Sequence, residues 1–218
     1  MKKKTRNSGS ERGKVLGFEG GVINFGGKLF DTLMLGILWL LCSIPLVTVG
    51  VSTTALYYAV THSVKADDGY ASTMFFRSFR RNLKQGILLW IGLVAVFVLM
   101  RLNTGILMAK TSGNFGLAMI GFYTAVMVYL AVMACYMFPA LSRFEMRTLW
   151  FVQLSIYMGI RYFLTSAMLL VILGGAAVLV WRVPFLILIV PGPDMWLMSE
   201  FLERVLKKHE ESIEKQLE

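Results

Sequence analysis

The stretch DTLMLGILWLLCSIPLVTVGVSTTALYYAVTHSVK, residues Asp31 to Lys65, decides the fold, because its 33 interior residues carry no formal charge. As a single helix it would run about 50 Å, against a hydrocarbon layer of about 30 Å. Pro45 and the cluster Thr48, Gly50, Ser52, Thr53 and Thr54 fall in its middle, and these are residue types that break a helix and cap the next. The spacing predicts a hairpin of two short or tilted helices.

Outward from this hairpin, three further charge-free stretches read as spans: Gln85 to Met100, Thr111 to Ser142, and Tyr162 to Trp181. A last apolar stretch, Val183 to about Phe201, is interrupted by Pro191, Gly192, Pro193 and Asp194, so its middle cannot be regular helix unless neighbouring protein satisfies the freed backbone groups. The expectation is an all-α, polytopic transmembrane bundle of about six spans. Residues 1–28 form a basic N-terminal segment, 29–201 the membrane domain and 202–218 a charged helical tail. Composition agrees: the 218 residues are 56% hydrophobic and only 16% charged, with a mean hydropathy of +0.65. That excludes a disordered chain or a disulfide-stapled module.

Six passes place the loops alternately on two sides. Of the 22 Lys and Arg residues, 19 then fall on one side, leaving Arg101, Lys110 and Arg182 opposite. The positive-inside rule puts both termini in the cytoplasm and accounts for the net charge of +9 without nucleic acid. The basic N-terminus is not followed by a small-x-small cleavage site and is expected to stay attached. Pro45 and Pro139 each close an apolar segment, a hint of an inverted repeat.

Thr73 to Gln85 has the best amphipathic pattern. Phe75, Phe76, Phe79 and Leu83 share one face, and Arg77, Arg80, Arg81 and Lys84 fill the opposite arc. It reads as an interfacial helix whose phenylalanines sink into the acyl boundary while its cations meet anionic headgroups. The cations then either fix orientation only or dock a cytoplasmic partner.

Asp194 is expected near the bilayer interior, where a carboxylate needs a partner or a wet cavity. With Thr48, Ser52 and Thr53 it forms a candidate intramembrane polar site, the alternative being a loop near the surface. Asp31 and Arg101 sit at span ends and can reach water. His62 either shuttles protons or is solvated at the interface. Gly116, Gly121, Gly174 and Gly175 would permit close helix contacts. The tail offers the pairs Glu200–Arg204, Glu203–Lys207 and Glu211–Lys215 and reads as a solvated helical end.

Enzyme signatures fail. His62 and His209 belong to no H-E-x-x-H pattern, and no G-x-S-x-G elbow occurs. Gly21 to Leu29 imitates a phosphate loop, but Leu29 replaces the magnesium-binding hydroxyl. Cys42 and Cys135 lie in apolar stretches without zinc spacing, and nothing implies a cofactor. No catalytic, cofactor or metal residues are expected, and the chain reads as a non-enzyme.

The run LWLLCSIPLVTVGVSTTALYY from Leu38 to Tyr58, then DGY from Asp68 to Tyr70 and FFRSFRRN from Phe75 to Asn82, resembles the YesL family of bacterial membrane proteins, which contain a domain of unknown function. The resemblance covers residues 17 to 90. It implies a multi-pass protein of the bacterial cell membrane, often encoded beside oligosaccharide ABC importers and sensor kinases, and it supplies no activity. Two functions follow as expectations: an accessory or regulatory component in oligosaccharide uptake or sensing, touching ABC importer subunits or a sensor kinase, or a small-solute permease with its own cavity.

Overall fold

The computed structural model describes residues 8–64, 70–110 and 114–217, with side chains placed for 26–64, 70–108 and 115–207. Much of the basic N-terminal segment, Asp68 of the DGY motif and the Glu211–Lys215 pair lie outside those limits.

Among the described residues seven α-helices follow one another: α1 (Ser8–Ser43), α2 (Val49–Ala59), α3 (Ala71–Lys110), α4 (Asn114–Arg143), α5 (Thr148–Arg161), α6 (Phe163–Arg182) and α7 (Pro191–Leu217). No strand occurs among the described residues. The expected hairpin is α1 and α2. Pro45 leaves the helix in an extended conformation (φ −74°, ψ 100°) and a 3-10 turn, Leu46–Thr48, leads into α2. Thr48 ties the turn together: its hydroxyl donates to the carbonyls of Cys42 and Pro45, each at 2.6 Å. One of the last carbonyls of α1, which the helix itself leaves unpaired, is thereby satisfied.

At the centre of the core lies α2, with Val51, Ala55, Leu56 and Tyr57 buried. A π-turn, Val60–Val64, prolongs it. Around it pack α1, the first half of α3, the second half of α4, and α7. On α3 the buried residues Ala71, Phe75, Ser78, Asn82 and Leu89 recur at helical spacing, and on α7 so do Met195, Met198, Leu202, Val205 and Leu206. The crossing of α1 and α7 is tight: a side-chain carbon on Gly36 would sit 3.2 Å from the Gly192 nitrogen, and one on Gly192 would collide with the Thr32 carbonyl.

The rest of the molecule is thinly packed. Trp90 Nε1 donates to the Leu46 carbonyl at 2.7 Å, which sets the hairpin tip level with Trp90. Beyond that point α3 continues to Lys110, about 30 Å at helical rise, with α4 running back beside it. In residues 91–108 of this arm only Thr104 is buried, and Leu99, Leu102, Phe115 and Leu117 are exposed.

Several expectations change. The helix expected over Thr73 to Gln85 is not separate: it forms the opening turns of α3, and no proline interrupts the chain before Lys110. Its Phe75 packs into protein rather than lipid, at 0% exposure. Residues 143–161, read as a loop, contain α5, which buries Phe151, Leu154 and Met158 against the bundle. Pro139 does not close a segment but lies inside α4, one turn from its end, where only one intrahelical bond is lost.

The 191–194 cluster starts a helix instead of breaking one: Pro191 and Pro193 stand in the first turn of α7, where their missing N–H groups cost nothing. The boundary at 201 falls inside α7, and Leu202 and Leu206 are fully buried, because the apolar stripe of that helix continues past it. Gly121, Gly174 and Gly175 face open space, and the close approaches use Gly36, Gly50, Gly86, Gly159 and Gly192 instead.

Candidate functional site

Two groups of residues carry the expected chemistry, one around the hairpin tip and one along the first turns of α3. At the tip, Thr53 Oγ1 donates to the Val49 carbonyl at 2.8 Å and accepts from Trp39 Nε1 at 3.1 Å. Thr48 is engaged by the turn, as above. Ser52 Oγ is buried with no hydrogen-bond partner among the described residues, and so is Ser43 Oγ. Asp194 is half-buried in the first turn of α7, within electrostatic reach of Cys135 on α4. No hydrogen bond among the described residues joins Asp194 to Thr48, Ser52 or Thr53. The hairpin residues share a neighbourhood, while Asp194 sits on a different helix beside the α1–α7 crossing.

Three further threonine hydroxyls, on α2, α3 and α4, close on their own backbone. Thr54 bonds the Gly50 carbonyl, Thr104 that of Met100, and Thr124 that of Ile120, each four residues back. Such bonds satisfy the hydroxyl locally and leave it with less capacity for a passing solute.

Along α3 the four cations separate into two kinds. Arg81 Nη2 donates to the Ser142 carbonyl at 2.9 Å, at the C-terminal end of α4 where carbonyls lack helical partners, and its guanidinium lies 5.3 Å from the centre of the Tyr58 ring. His62 stacks on the same ring, with centroids 4.1 Å apart. One turn along, Gln85 Nε2 donates to the Met146 carbonyl at 3.1 Å. Together Arg81 and Gln85 fasten α3 to the α4–α5 connection. Arg77, Arg80 and Lys84 are exposed, as Arg81 is, but make no such side-chain contact among the described residues. Phe79 is partly buried against the core, and Phe75 is buried in it. Sequence spacing alone put all four cations on one polar arc; only the position of Ser142, 61 residues away, distinguishes Arg81.

A third group escaped sequence reasoning. Tyr57 on α2 is buried with its hydroxyl in electrostatic reach of Arg143 on α4 and Glu203 on α7, and that hydroxyl has no hydrogen-bond partner among the described residues. Adjacent Glu203 and Lys207 form an i,i+4 ion pair at 3.4 Å. No local motif announces this cluster, because its members come from three helices. Among the described residues no three His, Cys, Asp or Glu side chains gather as a metal site would require.

The fold therefore defines an all-helical protein with, among the described residues, four helices long and apolar enough to cross a membrane, containing Gly26–Ser43, Ala71–Met108, Phe115–Arg143 and Phe163–Arg182. A family described as "Protein of unknown function, DUF624" matches residues 32–104, which take in the last third of α1, all of α2 and most of α3. No curated protein and no solved structure matches the chain.

Proposed function

We propose that this protein is a non-enzymatic accessory component of the bacterial cell membrane that works through contacts at its packed, basic end, with oligosaccharide uptake or sensing as its setting. The observation that carries the reading is how the polar groups are used. Threonines in the apolar helices are spent on their own backbone, while Arg77, Arg80 and Lys84 remain exposed. A carrier needs the reverse, with polar groups open inside the spans. The oligosaccharide setting, with an ABC importer or a sensor kinase as partner, rests on the family resemblance.

In the topology that goes with this reading, α3 and α4 pass completely through lipid, since the arm beyond Trp90 is apolar on almost every side and has no other suitable solvent. The α1–α2 hairpin, whose tip reaches only Trp90, enters from the cytoplasmic side and returns. Its two passes cancel whether or not they are complete, so counting six passes still leaves both termini in the cytoplasm beside the basic segments. A reporter active only outside the cytoplasm, fused after Lys110, is expected to be active; an inactive fusion rejects this orientation.

The functional reading is tested by cross-linking the full-length protein in its native membrane and identifying the partner by mass. Recovery of importer or kinase subunits, lost when Arg77 and Arg80 are changed to Glu, supports it. A purified protein that alone moves a sugar or ion into liposomes supports the permease instead. That second reading draws on the buried Ser43 and Ser52 hydroxyls, which lack partners among the described residues.

A further inference from the structure

We infer that three of the exposed cations of α3 form a binding site for an acidic phospholipid, with Arg77, Arg80 and Lys84 holding the phosphate headgroup and Leu88 and Ile91 lying along its acyl chain. At helical spacing these five residues fall within an arc of about 80°, a single stripe down one side of α3. All five are exposed, so no helix among the described residues covers the stripe. Its character changes sharply: three cations occupy about 10 Å, and the next 10 Å is apolar. An acidic lipid has the same sequence of charge and hydrocarbon along its length, which argues for that occupant over a soluble anion.

The position of the change agrees. Lys84 immediately precedes the charge-free stretch that begins at Gln85, the point at which α3 enters lipid in the topology above. The fourth cation does not belong to the site, because Arg81 is turned to the Ser142 carbonyl and the Tyr58 ring. The site rests on the membrane placement proposed above, but not on any protein partner.

The full-length protein is reconstituted in phosphatidylcholine vesicles carrying a trace of spin-labelled phosphatidylglycerol or, separately, spin-labelled phosphatidylcholine, and the motionally restricted fraction is measured. The wild type is expected to prefer the acidic lipid by about fivefold, weakening in high salt. Arg77→Gln, Arg80→Gln and Lys84→Gln together should remove the preference, whereas Arg81→Gln should keep it in whatever fraction remains folded. A triple variant that retains the wild-type preference overturns the site. So does a triple variant that retains it while losing a co-purifying protein, which would assign the face to that protein. Loss of preference in Arg81→Gln equal to that of the triple variant overturns the division of the cations. A sample with no restricted lipid of either kind overturns the membrane placement itself, and the site with it.

Discussion

The packed end of the bundle and the α3–α4 arm are made of the same residue types, and partly of the same helices, yet only one of them has an interior. Phe75 and Leu102 lie on one continuous helix; the first is wholly buried and the second is 60% exposed. The difference comes from what stands beside them. At the packed end α2 supplies a central strut that four other helices surround, and over the arm α3 has chiefly α4 for company. Hydropathy is shared by both regions, and so it marks membrane character without marking where the protein is held together.

Substitution of Phe75 should break the packed end most severely. Its ring is fully buried and lies 6.2 Å from that of Phe79. Phe75→Ala is expected to cost about 4 kcal/mol, the sum of lost transfer energy and an unfilled cavity. Thermal unfolding of the detergent-solubilised protein, followed by fluorescence-detected size exclusion, checks this. A Tm within a few degrees of the wild type would place Phe75 outside the core.

Gly192→Ala comes next, at about 3 kcal/mol, because the new methyl meets the Thr32 backbone carbonyl rather than a yielding side chain, and the α1–α7 crossing has to open. The same assay should show Gly174→Ala unchanged, since nothing lies close to that position.

These two positions also mark how far the sequence could be read. Charge-free stretches located α4 and α6 nearly to the residue, and Pro45 with Thr48 located the hairpin turn, because each signal is local: a proline, a hydroxyl, or a missing charge. What stayed hidden depends on residues distant in sequence. Gly192 looked like a helix breaker, but its role is set by Thr32, 160 residues earlier. Phe75 looked lipid-facing since amphipathy shows that a face is apolar without showing what covers it. Helix α5 was missed because Arg147 just before it and Arg161 at its end marked the region as a loop, although Phe151, Leu154 and Met158 already had helical spacing. The two-part use of the α3 cations was illegible for the same reason.

Arg81 sharpens the comparison at an intermediate level. Its hydrogen bond to Ser142 joins a charged donor to an unpaired helix carbonyl, so Arg81→Met should cost about 2 kcal/mol and loosen the join between α3 and α4. Arg77→Met, one turn earlier and without such a bond among the described residues, should leave Tm unaltered. Equal losses from the two would mean that Arg81 acts as a surface charge and that the grip on α4 lies elsewhere.

The smallest effect is expected on the arm, and it is the most informative about solvent. Leu102→Ala removes apolar surface that faces outward in the folded protein, and no cavity forms, so the change in stability should stay within about 0.5 kcal/mol. Leu102→Lys separates two explanations for that indifference. If the arm stood in water, a lysine there would be equally harmless. If lipid surrounds it, the ammonium must reach an interface or be dehydrated, and insertion should suffer by about 1 to 3 kcal/mol according to depth. Membrane-inserted yield of Leu102→Lys, compared with Leu102→Ala and with Arg77→Lys at the basic end, reads this directly. Reduced insertion confined to Leu102→Lys means that the arm's missing interior is completed by acyl chains, whereas unchanged insertion would put another covering there and remove the basis for treating α3 and α4 as complete spans.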